Sequence, residues 1–159
     1  MNRTLSCCLL SMVLGFLTPA FTPAGELPST PILNILPLPR HISLHQGRLT
    51  IDGNFRFSLS GYREPRLLRC ADRFLRRLER KTGIPFASQP ILDPGQADFE
   101  IHCDAYESRI QTVRDDESYR LKVTSRKAQL SAPTPLGVIR GLETFLQLVD
   151  LDGRSFFVP

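Results

Sequence analysis

Three adjacent carboxyl groups, Asp115, Asp116 and Glu117, are the side chains of this sequence that come nearest to acid–base chemistry. General acid–base catalysis needs a carboxyl group within hydrogen-bond reach of the reacting bond, with a pKa near the working pH. Arg114 and Arg120 flank the three carboxyls and offset their charge. No second carboxylate is predicted at a strand end facing them, and this pattern is typical of a solvated turn. We therefore predict no catalytic residue in this chain.

The histidines show no metal-binding pattern. His41 and His45 are four residues apart, but Pro39 and Gly47 favour an extended segment over the helix that would bring them side by side. The chain has no His-Glu-x-x-His motif, and no cysteine or carboxylate lies close by to complete a set of metal ligands. We predict no metal and no cofactor, and a surface or strand position for each histidine, including His102.

The first residues have the pattern of a secretory signal. Arg3 precedes an apolar run over residues 5–17, and the small residues Ala20 and Ala24 offer cleavage sites. The apolar run is shorter than the about 20 residues that a membrane-spanning helix needs. We predict a signal peptide over residues 1–24, export to the periplasm or the exterior, and no membrane span.

Export leaves the state of Cys70 and Cys103 open. An oxidising compartment permits a disulfide, and two cysteines allow only one pairing. Cys70 lies in a helical pattern and Cys103 at the end of a strand pattern, so the sequence does not establish whether their Cα atoms come within about 7 Å. We expect two free buried thiols, with the disulfide as the alternative.

Length and composition indicate one globular domain. The 159 residues are enough for one ordinary core, and a hydrophobic content of 42% excludes an intrinsically disordered chain. Residues 25–39 contain four prolines and predict an extended linker whose apolar side chains pack on their own domain. The domain itself is predicted over residues 40–159.

Hydrophobic periodicity predicts the elements of that domain. Alternating polar and apolar residues predict strands, and two of these, at residues 48–52 and 55–60, are expected in one sheet with a turn between them. Further strands are predicted at residues 99–103, 118–123 and 128–132. With a helix after the second strand and another after the fifth, the order predicts an α+β fold, a mostly antiparallel sheet with two helices packed on one face.

The first predicted helix begins at Pro65 and ends before Gly83, and it is strongly basic. Its outer face carries Arg66, Arg69, Arg73, Arg76, Arg77, Arg80 and Lys81. Such a row either binds an anionic ligand or is a solvated helix face. Asp72 and Glu79 interrupt the row and no aromatic residue is interleaved with it, so we favour the solvated face and predict no nucleic-acid partner.

The second predicted helix, from Thr134 to Val149, contains two glycines. Each glycine costs about 1 kcal/mol relative to alanine in a helix interior, so Gly137 and Gly141, which share one face, indicate close packing against neighbouring backbone. A polar stripe also follows the helical spacing. It consists of Arg140, Glu143, Thr144 and Gln147. The stripe is either a solvated outer face or a docking face for a further domain.

Three segments carry a resemblance to a known family. They read ILPLPRHISLHQGRLTI, DESYRLKV and PLGVIRGLETFLQLV. Together they resemble the N-terminal, non-catalytic domain of the bacterial β-N-acetylhexosaminidases of glycoside hydrolase family 20. In that family a similar strand pair and helix directly precede the catalytic (β/α)8 barrel, for which a 159-residue chain has no room. The family's catalytic Asp-Glu pair belongs to the barrel, so the resemblance does not transfer that role to Asp116 and Glu117.

The resemblance implies an accessory domain of an exported β-N-acetylhexosaminidase that acts on terminal N-acetylhexosamine residues of glycans. It also implies a catalytic barrel as the partner, and no activity for this chain by itself. The alternative is a free-standing periplasmic module that binds an amino-sugar glycan or another partner.

Overall fold

The computed structural model describes residues 33–106 and 112–159. Its strands are β1 Leu49–Ile51, β2 Phe57–Gly61, β3 Phe99–Cys103, β4 Arg120–Val123, β5 Ala128–Ala132, β6 Asp150–Leu151 and β7 Phe156–Val158. The α-helices are α1 Pro65–Thr82 and α2 Pro135–Leu148. The predicted signal peptide at residues 1–24 and the linker residues 25–32 lie outside the described residues.

The strands form two sheets, of which the smaller is wholly antiparallel and the larger mostly parallel. β1, β7 and β6 make a small antiparallel sheet, whereas the larger sheet has the order β2-β3-β5-β4. In the larger sheet β2, β3 and β5 run parallel, and β4 pairs antiparallel with β5. Three of the five strand pairings are antiparallel, which confirms the predicted α+β class. The parallel β2–β3 pair is possible because α1 provides the crossover that returns the chain from β2 to β3 in the same direction.

β1 and β2 do not share a sheet, and that prediction was wrong. The turn between them is present, because the amide of Asn54 donates to Asp52 Oδ1 at 2.8 Å. After the turn, however, Phe55 turns its ring into the core, 6.1 Å from the ring of Phe145. β1 instead pairs with β7, a three-residue strand that is too short to show a period in the sequence.

Both helices begin where local chemistry predicts. Thr134 accepts a hydrogen bond from the amide of Gly137 at 3.2 Å and so caps α2, and a proline occupies the first turn of each helix. α1 ends at Gly83, whose φ of 71° is the left-handed conformation that favours glycine.

The core lies between the helices and one face of the larger sheet. Phe145 of α2 stacks on Phe99 of β3 with ring centroids 4.4 Å apart, and Phe74 of α1 lies 5.7 Å from each of them. Cys70 and Cys103 are both buried and are not joined by a disulfide, as expected.

The two glycines of α2 mark the places where this helix comes nearest to the sheet. A Cβ atom added to Gly137 would collide with the carbonyl oxygen of Ser118 and would lie 2.9 Å from Ala132 Cβ. A Cβ atom added to Gly141 would collide with the side chain of Leu130, which is itself almost fully buried. The first obstacle is main chain and cannot rotate away, whereas the second is the end of a side chain.

We predict that Gly137→Ala lowers the free energy of unfolding by about 2 kcal/mol, despite the better helix propensity of alanine, because the added methyl group overpacks the contact with Ser118. Gly141→Ala is expected to cost less, since Leu130 can change rotamer. Urea denaturation of the three proteins measures the differences.

Gly53→Ala is the matched control. Gly53 lies in an exposed turn, and an added Cβ would meet only Ile84 at an ordinary 3.9 Å. An unchanged denaturation midpoint for Gly137→Ala would contradict the close approach.

Candidate functional site

The polar stripe of α2 is a surface whose side chains all have partners in this domain. Arg140 binds Glu117 through two hydrogen bonds, Nε to Oε2 at 2.9 Å and a terminal nitrogen to Oε1 at 3.0 Å. Glu143 forms an ion pair with Arg77 of α1. These contacts tie α2 to the segment before β4 on one side and to α1 on the other.

The other two members of the stripe differ in exposure. Thr144 is buried, where its Oγ1 accepts from the hydroxyl of Tyr119 at 2.6 Å and donates to the carbonyl of Arg140 at 3.2 Å. Gln147 is exposed, and its amide binds the main chain of Leu36 twice, accepting from the N–H at 2.7 Å and donating to the C=O at 2.8 Å. Whether a further domain binds this face stays a prediction.

The two hydrogen bonds from Gln147 hold the apolar segment around Leu36 at the surface. Ile35 is buried, as the packing prediction for the linker requires, but the side chains of Leu36 and Leu38 are 79% and 72% exposed. Two neighbouring leucines with that exposure extend the face of α2 with an apolar patch.

Next to the stripe, the outer side of α1 forms a cavity of about 560 Å³, which we call the arginine groove. Its walls are Arg66, Arg69, Cys70, Asp72, Arg73, Arg76 and, from α2, Ile139. Within the groove Arg73 donates to Cys70 Sγ at 3.3 Å. Burial raises the pKa of the Cys70 thiol, although Arg73 acts in the opposite direction, so this cysteine is no reactive thiolate.

Two of the three adjacent carboxyls, Asp116 and Glu117, have lowered pKa values, which favour the ionised form that a general acid must not have. Hydrogen bonds from Ser118 lower the pKa of Asp116, and those from Arg140 lower the pKa of Glu117. Asp115 accepts from the amide of Thr112 at 2.7 Å and closes a turn. These groups build the loop before β4, as the sequence predicted for a solvated turn.

The open face of the larger sheet carries a chain of polar groups that sequence reasoning missed. Ser60 Oγ lies 2.9 Å from His102 Nδ1, and His102 Nε2 lies 3.2 Å from Asp104 Oδ1. Ser60 and His102 are directly opposite each other in the parallel β2–β3 pair, a register that no local pattern reveals. The side chains of His102 and Asp104 are about half exposed, so the three groups are solvated and do not line a substrate pocket.

On the same face Glu100 accepts from Lys127 Nζ at 2.5 Å and from Gln129 Nε2 at 2.6 Å. Both hydrogen bonds lower the pKa of Glu100, and the one from Gln129 has the larger effect. The portion of the chain that the structure describes holds no cluster of three or more potential metal ligands. Nor does that portion contain a helix long and apolar enough to cross a membrane.

Comparison with known proteins identifies relatives of this chain. A family model described as "beta-acetyl hexosaminidase like" matches residues 35–148. A Beta-hexosaminidase of Vibrio furnissii is 28% identical over 137 residues, which are 85% of this chain and 20% of that protein.

Solved structures agree with this match. The chitobiase of Flavobacterium johnsoniae has a TM-score of 0.73 and 34% identity, over 80% of this chain and 20% of that enzyme. The N-acetyl-β-hexosaminidase of Streptomyces plicatus shares the fold, with a TM-score of 0.57 and 19% identity over 81% of this chain and 25% of that one. The chain thus spans about a fifth of the length of the first two relatives.

We predict that Gln147→Leu frees the main chain of Leu36, because the leucine side chain forms neither hydrogen bond. Loss of about 1.4 kcal/mol of local protection corresponds to about tenfold faster amide exchange at Leu36, which hydrogen–deuterium exchange measures. Gln46→Leu, at an exposed position of the same segment, is the control. Equal amide exchange rates at Leu36 in the unmodified protein and in both variants would contradict the role of Gln147 in holding this segment.

We also predict a pH-dependent contribution from Glu100. Because its pKa is lowered in the folded state, its stabilisation is present above the unfolded pKa of about 4.3 and is lost as the pH falls through the lower folded value. Glu100→Gln should therefore cost about 1 kcal/mol at pH 7 and less at pH 3. A cost that stays constant between these pH values would contradict the assignment.

Proposed function

Since this chain belongs to the family of N-terminal, non-catalytic domains of glycoside hydrolase family 20, we propose that it serves as the accessory domain of an exported β-N-acetylhexosaminidase. The substrates of that enzyme are glycans with terminal N-acetylhexosamine residues. The domain itself cleaves none of them.

The main support for this proposal is that the chain matches only about a fifth of the length of two of its relatives. The chain matches about a fifth of the Vibrio furnissii and Flavobacterium johnsoniae proteins, and the remainder leaves room for the catalytic (β/α)8 barrel that the family resemblance implies. A barrel of that kind needs about 250 residues. The residues that bind and cleave the glycan are therefore expected in the part of such an enzyme that this chain does not match.

The chemistry of the carboxyl groups supports inactivity of the isolated domain. Glycosidic cleavage needs a protonated carboxyl group beside the leaving oxygen and a group that stabilises the oxocarbenium-like centre. Hydrogen bonds hold the pKa values of Asp116, Glu117 and Glu100 below their usual range, so these groups are poor proton donors at neutral pH.

The contribution of the domain is then a surface. The outer side of α2, with Arg140, Glu143 and Gln147, has a fixed orientation because Gly137 and Gly141 bring this helix close to the sheet. Buried Thr144 secures α2 to Tyr119 behind this surface. We propose that the surface binds the catalytic barrel.

A second candidate function is glycan binding by the domain itself. The ring of Tyr106 is 62% exposed and packs edge-on against Tyr62 with centroids 5.8 Å apart. An exposed and supported aromatic ring is a surface on which a sugar ring can stack. Titration of the chain with an N-acetylglucosamine oligomer tests this candidate, and binding that Tyr106→Ala abolishes would support it.

We predict that the purified chain does not hydrolyse a chromogenic aryl N-acetyl-β-glucosaminide, because it lacks a suitable proton donor. A chimera in which the chain replaces the matching fifth of the Flavobacterium johnsoniae chitobiase should hydrolyse the same substrate. The assay of both proteins side by side is the measurement.

The chimera is compared with the same enzyme lacking the replaced segment, which is expected to be unstable or inactive. Turnover that co-purifies with the isolated chain, and that Asp116→Ala or Glu117→Ala removes, would overturn the proposal. Such a result would place catalysis in the loop before β4.

A further inference from the structure

The arginine groove contains more positive charge than this domain neutralises. The arginines of the groove and its rim that pair with a carboxylate are Arg66 with Glu64, Arg76 with Asp72, Arg77 with Glu143 and Arg140 with Glu117. Arg69 and Arg73 have no carboxylate partner within residues 33–106 and 112–159, and Arg73 binds only the sulfur of Cys70. The carboxylate in the groove lining, Asp72, is paired with Arg76, so these two guanidinium groups have no direct ion-pair partner in the described part of the chain.

These two guanidinium groups act on the same point of the surface. Arg69 and Arg73 are four residues apart on α1, so their side chains are neighbours on one face of the helix. Like charges at this spacing repel each other and slightly destabilise a helix. A carboxylate placed between them would remove the repulsion, and the planar guanidinium group binds a carboxylate with two parallel hydrogen bonds.

The walls of the groove suit a protein side chain. Ile139 of α2 and buried Cys70 supply an apolar wall beneath the two charges. An aspartate or glutamate side chain combines an apolar stem with a charged end, and it fits both parts of this surface. The occupant with matching chemistry is therefore a carboxylate-bearing protein surface.

The groove lies within reach of a domain attached after β7. β6 follows α2 directly, and β7, the last strand, pairs with β6. Ile139 lies nine residues before the end of α2, or ~14 Å along the helix axis. A (β/α)8 barrel of about 250 residues has a radius of gyration of about 18 Å, so a barrel attached after β7 is large enough to cover the groove.

We infer that Arg69 and Arg73 bind carboxylates of the catalytic barrel and form the electrostatic centre of the interface between the two domains. This inference rests on the proposed function and names the residues that perform it. The apolar patch at Leu36 and Leu38, which Gln147 of α2 holds by its main chain, adds a hydrophobic part to that interface.

The chimera with the Flavobacterium johnsoniae chitobiase provides a direct test. In it, Arg69→Lys and Arg73→Lys each place an amine where a guanidinium group was. A zero-length carbodiimide reagent joins an amine to a carboxylate only when the two are in contact. We expect a cross-link from position 69 or 73 to the catalytic part, identified by mass spectrometry, and none from Arg126→Lys in the distant β4–β5 turn.

Charge reversal gives an independent measurement. Arg69→Glu combined with Arg73→Glu should lower the thermal midpoint of the chimera by at least about 2 °C, and should leave the midpoint of the isolated chain unchanged. Arg126→Glu, at an exposed position that the groove does not include, should leave both midpoints unchanged. Loss of stability only when the barrel is present separates an interface role from a role in folding.

The outcomes distinguish this inference from the proposed function. An active chimera that gives no cross-link and tolerates the double reversal overturns the inference alone, whereas an inactive chimera counts against the proposed function. Binding of a heparin fragment to the isolated chain at physiological salt, lost on the double reversal, would assign the groove to an anionic glycan and would also overturn the inference.

Discussion

The close approach of α2 to the larger sheet is the constraint on which the rest of this domain depends. Gly137 lies against the carbonyl of Ser118 and Gly141 against Leu130, so the helix axis comes nearer to the strands than any larger residue would permit. At that depth the ring of Phe145 stacks on Phe99, and Phe74 of α1 packs on both. The two helices thus share one aromatic core, and their outer faces lie side by side.

The arginines on that outer surface are of two kinds, those that form an ion pair within the domain and those that do not. Where acidic residues are available, arginines of the helices are neutralised within the domain and fix its parts to one another, as in the Arg77–Glu143 pair between α1 and α2. Arg69 and Arg73 form no ion pair within the described residues, and in our proposal their charge meets carboxylates of the catalytic barrel. The same residue type therefore stabilises the domain at one position and prepares a contact at the next.

Local patterns predicted the helices and their boundaries, because capping by Thr134 and termination at Gly83 depend on neighbours within one turn. Strand partners were harder. β1 pairs with β7, almost the whole length of the domain away, and three residues carry too little periodicity to indicate such a partner. The burial of Thr144 was missed for a related reason: helical spacing shows which residues share a face, but only the position of Tyr119 shows where that face ends.

The pairing of β1 with β7 also has a mechanical meaning. In the described part of the chain an extended segment leads into β1, and β7, the last strand, lies beside β1. Leu49 of β1 lies opposite Val158 of β7, so main-chain hydrogen bonds close the polypeptide between them into a loop. Tension applied between Leu49 and Val158 would load this short antiparallel ladder before the helices and their aromatic core.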